Sequence, residues 1–103
     1  MTQCASRHEA EAIAAALLEK HLVACAAIGG AVESRYRWQG KLETATEVPL
    51  TLKARRENWE AIEAEIRRLH SYEVPEVLAV AVEAGSAAYL AWLDEVAGKR
   101  ART

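Results

Sequence analysis

Between Val32 and Gln39 the chain alternates strictly, with Val32, Ser34, Tyr36 and Trp38 on one side and Glu33, Arg35, Arg37 and Gln39 on the other. That two-residue period predicts a half-buried strand. Gln39-Gly40 supplies a turn, and the chain returns through Lys41 to Lys53 with Leu42, Val48, Leu50 and Leu52 sharing a face. The two strands read as one hairpin, longer than a domain of this size usually carries. Pro49 interrupts the returning strand; lacking an N–H, it marks an edge position or a bulge.

Elsewhere the period changes to that of helices. Ser6-Arg7-His8-Glu9 fits a capping box, in which the Ser6 hydroxyl accepts from the Glu9 amide and the Glu9 carboxylate reaches back to the Ser6 amide. From there Ala10, Ile13, Ala14, Leu17, Leu18 and Leu22 recur at steps of three and four, one apolar stripe on a first helix. Val23 to Ile28 is a run of small apolar residues suited to a strand buried on both faces, and Gly29-Gly30 bends or bulges the chain before the alternating segment. Trp59, Ile62, Ile66 and Leu69 define a second amphipathic helix from about Asn58 to His70. It stops before Pro75, because a residue preceding proline is pushed to extended geometry. Val77 to Val82 then reads as a buried strand. Gly85-Ser86 opens a third helix with Tyr89, Leu90, Leu93 and Val96 inward.

The order is strand, helix, strand, strand, helix, strand, helix: an α+β, ferredoxin-like βαββαβ arrangement with an added C-terminal helix. An antiparallel sheet with two helices on one face leaves its other face open. Self-association under cyclic symmetry, in which identical hairpins cover one another, is the expected solution.

Composition sharpens this without redirecting it. The 103 residues suit a single domain, 1–103, and a hydrophobic share of 51% is enough for a core. The longest uncharged run, Leu22 to Val32, falls well short of the roughly 20 apolar residues of a membrane span. Nothing at the start of the chain reads as a secretion signal, so a cytoplasmic location is expected, with Cys4 and Cys25 as free thiols. A net charge of −2 argues against a nucleic-acid scaffold, although Lys99, Arg100 and Arg102 make the extreme C-terminus locally basic. An RNA-recognition module shares the βαββαβ order, but it carries basic charge and displays stacking aromatics on a free sheet face.

Four segments in order, Ile13 to Leu18 with Leu22 and Ala24-Cys25, Ser34 to Gly40, Leu69 to Glu76, and Tyr89 to Leu93, resemble the CutA (divalent-cation tolerance) family. The resemblance implies a homotrimer similar to the nitrogen-regulatory PII proteins, with the sheets around the three-fold axis and clefts between subunits. It also implies tolerance of, and response to, divalent metal ions. Two departures stand out: Pro49, where an ordinary apolar residue is expected, and a first strand confined to Met1–Ala5.

No set of Cys and His residues has the paired spacing of a closed zinc site. An open site of thiolate and imidazole suits soft or borderline ions such as copper. The resemblance implies weak copper binding by a thiol near the end of the first strand and by the histidine before Tyr72-Glu73-Val74-Pro75-Glu76. The histidine is His70 and the thiol Cys4. Counted without gaps from Cys25 the thiol position falls on Thr2, two residues and about 6–7 Å along the same strand face. No cofactor is obligatory, and no protein partner other than further copies of the chain is assigned.

Arg35, Arg37, Glu47, Lys53, Tyr72 and Glu76 form a second candidate set. By analogy with PII proteins it would bind a small anionic ligand in the inter-subunit cleft, the alternative reading being a trimeric sensor. Simple cross-strand pairing of Arg35 and Arg37 with Glu43 and Glu47 would also account for the charges. Trp38, Trp59 and Trp92 read as core or interface packing. There is no phosphate loop, nucleophile elbow or fixed carboxylate pair, so no enzyme is expected.

Overall fold

The computed structural model describes residues 1–98; Lys99, Arg100 and Arg102 lie outside the described residues. The elements are β1 (Thr2–Cys4), α1 (Arg7–Glu19), β2 (Cys25–Ile28), β3 (Val32–Trp38), β4 (Lys41–Lys53), α2 (Trp59–Leu69) and α3 (Ala87–Leu93). A 3₁₀ turn (Arg56–Asn58) leads into α2, and a π-helical turn (Asp94–Gly98) follows α3. The fold is ferredoxin-like, with an antiparallel four-stranded sheet. Among the described residues no helix is long and apolar enough to cross a membrane.

The long strand β4 organises the sheet. On one side Val48 to Leu50 pair with β1; on the other, β2 pairs with Leu50 to Lys53 and β3 with Lys41 to Glu47. Ile28 faces Leu50 but Val32 faces Glu47, so β2 passes to β3 with one residue more than β4 uses across the same gap. This is a bulge, and Pro49 sits opposite it. The Gly29 amide donates to the Pro49 carbonyl at 2.9 Å, and the N–H that proline lacks would have completed that pair. Gly29 is required by close approach, since a Cβ there would lie 2.8 Å from Pro49 Cγ. Pro49 is therefore at an internal bulge, not on an edge.

Gln39 and Gly40 both have positive φ (51° and 80°), the geometry of a two-residue type I′ hairpin turn. Ser6 caps α1 by accepting from the Glu9 amide at 3.1 Å. The reciprocal bond differs from expectation: Glu9 reaches one residue further back, to the Ala5 amide at 3.0 Å. At the other end His21 adopts φ 56°, and its amide and that of Leu22 donate to Leu18 and Leu17 at 3.0 Å each. That is a Schellman stop with histidine where glycine is usual.

Cys4, Ala10, Ile13, Leu17, Val23, Val48, Leu50, Ile62 and Ile66 form one buried cluster between the two helices and the sheet. Buried Glu65 ties the helices together, accepting from Arg68 on α2 and from Lys20 beyond α1 at 2.7 and 2.9 Å.

Two expectations fail within this chain. Val77 to Val82 is not a strand, and beyond Val77, which packs on the core, it is exposed: Val80 is 74% and Val82 69% exposed. Its tie to the sheet is one reciprocal pair, the Leu78 amide to the Met1 carbonyl at 3.0 Å and the Met1 ammonium to the Leu78 carbonyl at 2.7 Å. With only three residues, β1 is too short to template a longer ladder. The third helix likewise buries no residue, with Tyr89 and Leu90 exposed and Leu93 and Val96 half-buried. Trp38 and Trp92 are exposed rather than in the core.

Candidate metal centre

The chain ends of three elements converge at one corner of the core. Strand pairing of Cys4 with Val48 turns the Cys4 thiol into the helix layer, where it is fully buried. The first turn of α1 carries Glu9. His70 caps α2 in extended geometry, its amide still bonded to the Ile66 carbonyl at 2.8 Å. A ligand atom from each of Cys4, Glu9 and His70 lies within 4.8 Å of the other two.

Hydrogen bonds hold this group together. His70 Nδ1 accepts from the Tyr72 amide at 3.2 Å, so the ring proton resides on Nε2, which donates to the Gln3 carbonyl at 2.8 Å. Glu9 Oε1 accepts from the Ser71 amide at 2.9 Å, Oε2 accepts from Ala5, and Oε2 also lies 3.5 Å from His70 Nδ1.

The titration behaviour follows from burial and charge. Burial first, then the carboxylates of Glu9 and Glu47, push the Cys4 thiol up to about 11. Burial would also raise the Glu9 carboxyl, but the hydrogen bonds of Ser71 and Ala5 and the influence of His70 prevail and hold it below its ordinary value. For Tyr72, burial and then hydrogen bonding to Glu47 raise the phenol to about 12. The corner thus offers a carboxylate, an imidazole and a protonated thiol.

Sulfur, nitrogen and oxygen donors together suit borderline and soft ions rather than hard ones. Three donors are one fewer than the closed four-ligand kind of centre requires. The donor set fits such an ion, but loading it requires loss of the Cys4 proton. Burial and the neighbouring carboxylates hold that proton on the thiol and so weaken apparent affinity near neutrality.

The structure brings Cys4 and His70 together, and of the second set it adds Glu47 and Tyr72 beside them. The rest are elsewhere in the chain. Arg35 faces Thr44 and Arg37 faces Leu42, near the hairpin tip, whereas Lys53 faces Cys25 at the opposite end of β4, roughly 30 Å away at strand spacing. Arg35 pairs with Glu33 on its own strand at 2.7 Å; Glu43 and Glu47 face Tyr36 and Val32 instead. Glu76 acts on the charge of the Met1 ammonium. Sequence reasoning missed Glu9 because the capping box already explained it. The usable signal was its position, since a carboxylate in the first turn of α1 points back toward the strand bearing Cys4. Thr2 is buried with its hydroxyl unpartnered and is not one of the three converging residues.

An antiparallel ferredoxin-like sheet with a thiol, carboxylate and imidazole gathered at the end of its first strand defines a small α+β protein with a candidate ion site at that corner. The family described as CutA1 divalent ion tolerance protein matches residues 1–96, and the chain belongs to this family. It is 41% identical over 90 residues to the divalent-cation tolerance protein CutA of Archaeoglobus fulgidus, covering 87% of each chain. With its Thermus thermophilus counterpart it shares 37% identity over 90% of each. It spans only 52% of the human protein CutA, at 38% identity. Among solved structures, the Thermus thermophilus divalent cation tolerance protein superposes with a TM-score of 0.92 at 35% identity, with 94% of each chain covered. The Archaeoglobus fulgidus structure gives 0.90 at 38% identity, with 93% of each covered.

Proposed function

We propose that this protein is a homotrimer that serves divalent-cation tolerance by binding a borderline or soft ion, copper in the first instance, weakly at Cys4, Glu9 and His70. The observation that carries this reading is the convergence of three chemically suitable donors from β1, α1 and the end of α2 within 4.8 Å. Weakness follows from the protonated thiol. Binding rather than catalysis is the role in this reading, and a thiol held protonated is a poor nucleophile. Location in the cytoplasm accords with two free cysteines.

Assembly is supported by what a single chain leaves uncovered. Leu42 on the hairpin and Leu78, Val80 and Val82 on the segment after Pro75 are all more than half exposed, apolar side chains of the kind that mark an interaction surface. The anionic-ligand reading depends on assembly too, because Arg35 and Arg37 of one subunit would have to meet Lys53, Tyr72 or Glu76 of another.

Calorimetric titration tests the metal reading, with Zn(II) as a redox-inert ion and Cu(I) under reducing conditions. One ion per chain is expected, with binding lost in Cys4→Ser and in His70→Ala and weakened in Glu9→Gln. Stoichiometry and affinity untouched by the first two substitutions would remove the site. Light scattering should give three times the chain mass, and a stable monomer at micromolar concentration would contradict the trimer.

A further inference from the structure

A neutral imidazole has one nitrogen lone pair to offer, since its other nitrogen carries the proton. In His70 that lone pair, on Nδ1, already accepts the Tyr72 amide at 3.2 Å, while Nε2 donates to the Gln3 carbonyl at 2.8 Å. An ion and the Tyr72 amide therefore compete for the same electron pair. Coordination through Nδ1 displaces the amide directly. Coordination through Nε2 gives the same result: its proton must move to Nδ1, which then has no lone pair for Tyr72. Either route leaves the Tyr72 amide without its partner.

Resting on the metal reading above, we infer that the Tyr72 amide is an intramolecular competitor for the metal site, so that ion uptake releases the segment beginning at Tyr72 from the end of α2. The surroundings make this release consequential. Ser71 is held on the neighbouring Glu9 carboxylate at 2.9 Å, the other donor an ion would engage. The next backbone tie beyond Tyr72 is the Met1–Leu78 pair. Between them Glu73, Val74 and Glu76 are exposed, while the Tyr72 phenol bonded to Glu47 and Val77 packed on the core confine the release to the backbone between them. Downstream lie the exposed apolar residues Leu78, Val80 and Val82. Ion binding and seating of this segment are thereby linked, and linkage is reciprocal: whatever clamps the segment weakens ion binding by the same factor.

Residue-resolved amide exchange on the full-length 15N-labelled chain, with and without saturating Zn(II), tests the latch. Exchange at Tyr72 should be at least about 10-fold faster with zinc, as expected for a local opening, while the His70 amide, bonded to Ile66, stays protected. In His70→Ala the Tyr72 amide should exchange fast without zinc and ignore its addition. Long-range 15N spectra of the unaltered protein supply a reading that needs no variant: Nδ1 of His70 must be the unprotonated nitrogen before zinc is added. A proton found on Nδ1, or one zinc bound per chain with Tyr72 as protected as before, overturns the latch and leaves the metal site standing. Failure of zinc to bind overturns both.

Discussion

The body of the molecule and its projecting parts obey the same local rules with opposite results. In the body, the stripe of α1, the stripe of α2 and the inner face of β1, β2 and the second half of β4 close on one another, and Ile13, Leu17 and Leu50 lose all exposure. The hairpin of β3 and the first half of β4 is as regular, with seven register pairs from Val32–Glu47 to Trp38–Lys41. Yet Tyr36, Trp38 and Leu42 on it stay exposed, as does the apolar segment after Pro75. Regular backbone pairing needs only a neighbouring strand, whereas burial needs a facing layer, and a single chain supplies that layer to one region alone. The difference also gives the molecule its elongated shape, 44 × 27 × 22 Å.

This contrast breaks most sharply in the core. Leu50→Ala, a fully buried position, should cost about 2–5 kcal/mol in urea denaturation, whereas Leu42→Ala, exposed in the single chain, should cost less than about 0.5 kcal/mol at protein concentrations low enough to keep the chain monomeric. A cost for Leu42 equal to that for Leu50 would show the hairpin face to be buried in solution.

Acid should act on the body next. Arg68 and Lys20 hold the Glu65 carboxyl near 2, against an ordinary value of 4.5. A depressed folded value means the stabilisation is present above about pH 4.5 and is lost as pH falls toward 2. Thermal melts should therefore weaken across that window, and Glu65→Gln should flatten the dependence. The exposed Arg35–Glu33 pair of the hairpin is expected to contribute little, so Glu33→Gln should leave the profile unchanged.

At the junction of the two regions, Gly29→Ala should destabilise by about 1–3 kcal/mol, because the added Cβ meets the rigid Pro49 ring. Chemical denaturation would detect it; a neutral result would mean the bulge can shift. Smaller and opposite in sign is His21→Gly, which relieves a left-handed histidine at the end of α1 and should stabilise by about 0.5–1 kcal/mol. Smallest for the fold of the chain is Val80→Glu, at an exposed site. Its expected effect is on mass in light scattering, with assembly lost and circular dichroism preserved.

Much of this architecture was legible from residue order. Periodicity located both long helices and the hairpin, and Gly29-Gly30 with Pro49 signalled the bulge, because each reflects forces acting within a few residues. Val77–Val82 misled because a continuous apolar run reports a wish for burial without saying who supplies it. At the candidate site, Cys4 and His70 could be named because the family resemblance implied a thiol near the end of the first strand and the histidine before Tyr72. Glu9 could not, because one carboxylate can cap a helix, hold a distant amide and face a histidine, and only the first of these is local.

Residue order by itself determined the two long helices, the hairpin and which faces are apolar, since dihedral preference, capping and side-chain period act over a few positions. Tertiary structure alone decided that Glu9 joins Cys4 and His70, that the Tyr72 amide occupies the imidazole lone pair, and that Arg37 and Lys53 lie at opposite ends of one strand. Those relations depend on how 13 residues of β4 span the molecule and where α2 ends against β1, distances that no local preference encodes.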